Sequence, residues 1–167
     1  MKRPKAATEP AGTQPDFRLE EFLPFQLSVT ASRVSRVFAE RFADDFGLTI
    51  PEWRVLAVVG RFGGISPSRV SEWTGMDKVK VSRAAATLVA RGLLRQSQDP
   101  DDGRARVLRM TKKGERTHAG VVPLARSLED NLRGVLGKGE WATLLKALTR
   151  LHQHLQDEAG PDTGPNA

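Results

Sequence analysis

A chain of 167 residues, 39% hydrophobic and 28% charged, can bury a core of its own, and none of its apolar runs approaches the roughly 20 residues that a membrane-spanning helix needs. With no cysteine, a disulfide framework, a thiolate zinc site and a thiol redox switch are excluded. The net charge of +6 is local: residues 66–116 hold twelve Lys/Arg against six Asp/Glu, whereas 1–65 hold nine against eight and 117–167 five against six. A basic segment of this kind is the footprint of phosphate-backbone binding, although acidic proteins and membrane surfaces attract the same charge.

Residues 1–18 read as a disordered tail, because Pro, Ala, Thr and Gly dominate and there is little to bury. Lys2, Arg3 and Lys5 are followed by no apolar segment, so no secretory signal is expected and the protein reads as cytoplasmic. Leu23, Leu27, Ala31, Val34, Phe38 and Phe42 recur at spacings of three and four, which predicts one long amphipathic helix ending before Gly47. Thr49 with Glu52 three residues on makes a capping box for a second helix through Trp53, Val55, Leu56 and Val59, stopped by Gly63 and Gly64.

Ser66 followed by Pro67 caps a short helix to about Trp73. Thr74-Gly75-Met76 is a tight turn, and Asp77 caps a further helix running to about Arg91 and closed by Gly92. Two helices around a short Gly-containing turn make a helix-turn-helix candidate. Leu93 to Gln98 and Arg104 to Met110 flank the turn-rich run Asp99-Pro100-Asp101-Asp102-Gly103 and read as a β-hairpin. Thr111 caps a helix with Val121, Leu124, Leu128, Leu132 and Leu136 on one face. After Gly137 and Gly139 a last helix places Trp141, Leu144, Leu148, Leu151 and Leu155 near a heptad seam that wants a partner. Residues 158–167 form a second disordered tail.

The expected fold is mainly α with a small β-hairpin wing. A winged helix-turn-helix over 49–110 is flanked by helical dimerisation segments at 19–48 and 111–157.

At 100° per residue, Val81, Ala84, Ala85, Leu88 and Val89 form the buried face of the helix after Asp77. The opposite face holds Val79, Arg83, Ala86 and Ala90, with Lys80 and Ser82 on its flanks. The small alanines keep the helix slim enough for a major groove, where Arg83 or Lys80 donates to guanine or phosphate and Val79 meets a thymine methyl. Beside the hairpin turn, Arg104 projects from a narrow tip toward an adjacent minor groove. Asp101 or Asp102 caps the turn or orients Arg104. The candidate DNA-contacting set is Ser66, Ser68, Lys78, Val79, Lys80, Ser82, Arg83, Arg95, Arg104 and Arg106. Each side chain is weighed against an ordinary solvated or capping role, and Arg95, Arg106 and Arg109 on the strands are evenly balanced between the two.

The helix-turn-helix ending in Met76 to Arg83 (MDKVKVSR), the Arg91 to Leu94 turn (RGLL), the wing from Asp99 to Thr111 (DPDDGRARVLRMT) and the following Lys112 to Gly114 (KKG) resemble the MarR family of bacterial transcription regulators over about residues 20–157. The resemblance implies a homodimer through the first and last helices, with two recognition helices on a pseudo-palindromic double-stranded operator, repression, and a wing arginine carried by Arg104. Gly103 stands where members often have a second basic residue. The stretches Phe22 to Ser28 and Ile50 to Gly63 look similar to the branch answering to aromatic acids or their thioesters, and this implies release by a small aromatic ligand. From the residues themselves, Ser28, Ser32 and Arg36 make a polar stripe at i, i+4 and i+8 that Trp53 and His118 could join, an aromatic wall with donors suited to a planar carboxylate. The alternative for all five is plain core or solvated surface.

An enzyme finds no support: the sequence has no phosphate-binding Gly loop, no H-E-x-x-H, no G-x-S-x-G and no cysteine nucleophile. His152 and His154 are two apart and share no helix face, so no metal site is expected, and no cofactor. The rival readings are a winged-helix DNA-binding module that needs no ligand, and a transcriptional activator.

Overall fold

The computed structural model describes residues 17–98 and 106–159. The expected tails therefore lie outside the described residues, apart from Phe17 and Arg18 at one end and Glu158 and Ala159 at the other, which close the last helix instead of starting a tail, and so does the hairpin tip with Asp101, Asp102, Gly103 and Arg104. The elements are a 3₁₀ turn at Leu19–Glu21, α1 at Leu23–Phe46, α2 at Ile50–Phe62, α3 at Pro67–Thr74, α4 at Lys78–Ala90, β1 at Leu94–Gln98, β2 at Arg106–Met110 and α5 at Lys112–Ala159. None of the described helices is long and apolar enough to cross a membrane. The chain divides into two compact units, Met1–Val37 and Phe38–Ala167.

In the first unit Phe17 and Phe22 meet edge to face at 5.4 Å, and Arg18 pairs with Glu21 at 3.4 Å. Leu23 and Leu27 on α1 are exposed.

The second unit starts within α1 and carries the core. Local chemistry sets its helix starts. Thr49 accepts from the Glu52 amide at 3.4 Å while Glu52 accepts from the Thr49 amide at 2.9 Å, a complete capping box for α2. Ser66 accepts from Arg69 N at 3.3 Å ahead of Pro67 and starts α3. Asp77 starts α4. Gly75, at φ +64°, makes the turn between α3 and α4 in a conformation that costs most residues energy.

Phe42, Leu48, Val55, Leu56, Val59, Val70, Val81, Leu88, Leu93, Leu94, Leu108 and Val121 lose essentially all solvent exposure. At roughly 1.5–3 kcal/mol for each fully buried aliphatic or aromatic side chain, this cluster holds α2, α3, α4, the hairpin and the start of α5 together.

The strands pair antiparallel from Leu94 with Met110 to Gln98 with Arg106, and Ile65 adds a bridge to Leu108. Thr111 starts α5 by accepting from the Gly114 amide at 3.0 Å. Helical geometry in α5 breaks at Gly137, φ 71° and ψ 167°, into two arms. The expected break is therefore real, but it falls at Gly137 alone; Gly139 is already helical.

One expected core position is corrected. Val81, Ala84, Ala85 and Leu88 are buried, whereas Val89 is 37% exposed. It lies at the edge of the apolar stripe, about 80° round from Val81 at 100° per residue, where it is only partly covered.

Candidate nucleic-acid interface

The exposed face of α4 is built from its cap outward. Asp77 Oδ1 accepts from Lys80 N at 2.7 Å, and Asp77 Oδ2 lies 3.2 Å from Lys80 Nζ. The Lys80 amide holds the Asp77 carboxyl below the usual carboxylate range. Lys80 is thus tethered to the first turn. Val79 is 59% exposed, and Lys78, Ser82, Arg83, Ala86 and Ala90 are exposed as well. Thr87 donates from Oγ1 to Arg83 O at 3.1 Å. Apart from Val79, the face is a ridge of small and cationic residues, opposite the buried Val81, Ala84, Ala85 and Leu88. A cleft of about 230 Å³ runs beside it, lined by Thr49, Pro51 and Glu52 of α2 and by Lys80, Arg83, Ala84 and Thr87 of α4.

Of the α3 candidates, Ser68 is exposed. Ser66 is half-buried with its hydroxyl committed to the cap. On the hairpin, register separates two candidates that the sequence grouped. Arg95 is paired with Arg109 and Arg106 with Gln98. Because side chains alternate faces along a strand, Arg95 and Arg109 share one face and Arg106 points from the other. Arg109 reaches back to Gly63 O at 3.5 Å and lies over Gly64, where a Cβ would stand 2.6 Å from its Nη1.

The ligand candidates fall in both units. In the first, Ser28, Ser32 and Arg36 are exposed on α1. In the second, Trp53 and His118 stack at 5.8 Å with 26° between ring planes, and Trp53 also meets Phe42 at 5.4 Å. Burial keeps the His118 imidazole below its ordinary value of 6.5. Gly60 makes room for it: a Cβ there would lie 3.0 Å from His118 Nε2.

A cavity of about 380 Å³ is lined by Phe38, Trp53, Val122, Ala125, Arg126, Glu129, Leu132 and Trp141. Trp53 is shared between stack and cavity, whereas His118 belongs to the stack alone. Trp141, expected on the seam of the last helix, also helps wall this cavity. Its indole N–H is buried without an acceptor among the described residues, and Arg133 lies 5.6 Å from its ring. Leu144, Leu148, Leu151 and Leu155 remain 37–61% exposed on the second arm of α5. Among the described residues no cluster of three or more His, Asp or Glu side chains could hold a metal ion.

Two features escaped the sequence. Arg61 covers Trp73 at 4.7 Å and Phe62 at 5.3 Å, a surface aromatic cluster whose parts lie on different helices. Arg91 bonds to the end of α1, more than forty residues away in sequence. Only contacts that the fold creates mark either one.

The family model described as "MarR family" matches residues 46–105. Transcriptional regulator HosA of Escherichia coli O111:H- is 30% identical over 103 residues, covering 62% of this chain and 76% of that protein. This chain belongs to the MarR family. As a MarR-family transcriptional regulator it also has close counterparts in shape. A probable transcriptional regulator from Pseudomonas aeruginosa is 28% identical with a TM-score of 0.70, over 80% of this chain and 99% of that one. Bordetella bronchiseptica BpsR, described by its regulation of DNA binding by 6-hydroxynicotinic acid, is 25% identical with a TM-score of 0.76, over 83% and 98%. The winged helix-turn-helix expected from the sequence is the fold found.

Proposed function

We propose that this MarR-family regulator is a homodimeric repressor that binds a pseudo-palindromic operator and is released by a small aromatic carboxylate or thioester. The observation that carries the DNA reading is the exposed face of α4, where Arg83, Lys80 and Val79 stand proud between small residues while the opposite face is locked into the core. A face of this shape fits a major groove about 12 Å wide, and a guanidinium can bind guanine O6 and N7 together. Residues 49–110 make the DNA-binding part, with Arg104 at the wing tip reading a minor groove. Residues 19–48 and 111–157 make the dimer, and exposed Leu144, Leu148, Leu151 and Leu155 supply the seam.

The ligand reading is supported by the stacked Trp53 and His118 and by the neighbouring aromatic-walled cavity, and by the ligand named for BpsR. A role for Ser28, Ser32 and Arg36 rests on their polar stripe in the sequence and on the resemblance.

The test starts from genomic fragments retained by the purified protein. On the duplex so defined, Arg83→Ala is expected to lose about 1–3 kcal/mol of discrimination against random DNA, because a base contact specifies. Equal losses on both duplexes would make it a phosphate contact. Arg104→Ala weakens operator binding at matched salt, and unchanged affinity removes the wing assignment. A thermal-shift panel of aromatic acids that includes 6-hydroxynicotinic acid checks the ligand, and no stabilisation by any member favours a ligand-independent module.

A further inference from the structure

The residue that follows α4 makes contacts that reach three other elements. We propose that Arg91 is a positioning residue for DNA recognition: it fastens the C-terminal end of α4 to the Phe46 and Gly47 carbonyls where α1 ends and so sets the pose of the α4 face. The inference rests on the reading of that face as the DNA-binding surface.

Arg91 Nη1 donates to Gly47 O at 2.8 Å and Nη2 to Phe46 O at 3.0 Å. Its Nη1 also lies 3.7 Å from Glu52 Oε2, on a carboxylate that is 90% buried and already accepts from Thr49 N. The Arg91 carbonyl accepts from Lys113 Nζ at 2.9 Å, so the start of α5 joins the same knot.

Each partner needs what Arg91 supplies. The last carbonyls of a helix have no intrahelical donor and carry the negative end of its dipole. Two adjacent carbonyls present two acceptors, and a planar guanidinium offers two N–H groups in a rigid fork that fits both. A lysine keeps the charge but has one nitrogen. The Glu52 carboxylate, nearly stripped of water, gains from a nearby cation.

The knot is also stiff. Gly47 holds φ +61°, a backbone conformation that L side chains rarely adopt, while a Cβ there would meet Arg91 Nη2 at an ordinary 3.5 Å. Leu93 N bonds to Leu88 O at 2.9 Å, and Thr111 Oγ1 bonds to Gly92 O at 2.7 Å, so the chain leaving Arg91 is fixed on both sides. A tilt of α4 about its cap would have to break the fork. Base readout by α4 needs its side chains within hydrogen-bond reach of base edges, whereas loose phosphate contact does not. Arg91 therefore acts on specificity more than on total affinity.

The experiment compares wild type, Arg91→Lys, Arg91→Gln and Gly47→Ala in the full chain. Each is titrated by fluorescence anisotropy onto operator and scrambled duplexes over a salt series. Circular dichroism confirms folding at the assay temperature, and stoichiometric titration fixes the active fraction. Arg91→Lys is expected to lose about tenfold on operator, with affinity for scrambled DNA and the salt slope unchanged, since charged hydrogen bonds are lost but no charge is. Arg91→Gln falls at least as far. Gly47→Ala, which changes no charge and lies off α4, loses operator preference in the same direction.

Wild-type operator preference in both Arg91→Lys and Gly47→Ala overturns the proposal. So does an equal loss on both duplexes in Arg91→Gln with the salt slope reduced by about one ion, which marks a phosphate contact. A wild-type protein that shows no operator preference overturns the DNA reading itself, and the role of Arg91 with it.

Discussion

Two glycines in the first arm of α5 should respond to the same substitution with opposite signs. Gly114 is buried in the first turn. A Cβ there would stand 2.0 Å from Leu93 O and 3.0 Å from Leu93 C, far inside van der Waals contact and against backbone. The carbonyl cannot swing aside cheaply, because it accepts from Thr111 N at 3.1 Å and Thr111 Oγ1 at 3.3 Å. Replacing Gly by Ala inside a helix gains about 0.8–1.0 kcal/mol of propensity. Overpacking costs about 1–3 kcal/mol and more where backbone must shift. For Gly114→Ala the clash wins, with a net loss of about 1–2 kcal/mol. Gly134 is helical, exposed and has nothing within 4 Å of a built Cβ, so Gly134→Ala keeps the gain. In a chain of 167 residues each kcal/mol moves Tm by about 2–4 °C. Gly114→Ala should therefore melt about 2–8 °C lower and Gly134→Ala about 2–4 °C higher. The assay is thermal denaturation by circular dichroism at one fixed protein concentration, since a dimer's Tm depends on concentration. Gly114→Ala melting at or above wild type would refute the geometry.

His118 sets a pH dependence. Burial lowers its folded pKa below 6.5, so the unfolded chain binds the extra proton first and stability falls as pH drops below about 6.5, through the folded value. Melts from pH 8 to pH 5 should show a steeper loss in wild type than in His118→Gln, and parallel losses would remove His118 as the cause. Replacing both Leu148 and Leu151 by Lys should give a folded monomer in analytical ultracentrifugation that no longer binds operator; normal binding by that monomer would contradict coupling of dimer to DNA. Arg95 and Arg106 leave opposite faces of the wing, so Arg95→Ala and Arg106→Ala should differ, with at most one lowering the salt slope by about 1. Equal reductions in both would mean that DNA meets both faces.

What could be read from the sequence was whatever neighbouring residues decide among themselves. The Thr49 and Glu52 box, the Ser66-Pro67 start, the Asp77 cap and the turn at Gly75 each depend on partners within a few positions, and each stands in the structure as expected. The exposed ridge of α4 was legible for the same reason, since helical period alone separates Arg83 from Leu88. Val89 was not, because the width of a buried stripe depends on what packs over its edge. The split between Arg95 and Arg106 depends on hairpin register, which the run from Asp99 to Gly103 does not determine by composition. That Trp141 also walls a cavity depends on Phe38 and Trp53, far away in sequence and so outside the reach of local spacing.

These differences bear on how the wing and α4 divide the work. A two-stranded ribbon with Arg95 and Arg109 on one face and Arg106 on the other offers no single cationic face to a duplex. Arg109 is moreover turned inward, over Gly64 and toward the Gly63 carbonyl, where it braces the hairpin against the end of α2. On the proposed reading the wing contact falls to Arg104, in the run that joins the two strands in sequence. On the same proposed reading, base discrimination rests on α4, whose start is held by Asp77 and whose end is held by Arg91. If α4 enters a groove as proposed, having both ends held would leave its side chains at fixed spacing and reduce the ordering required on binding.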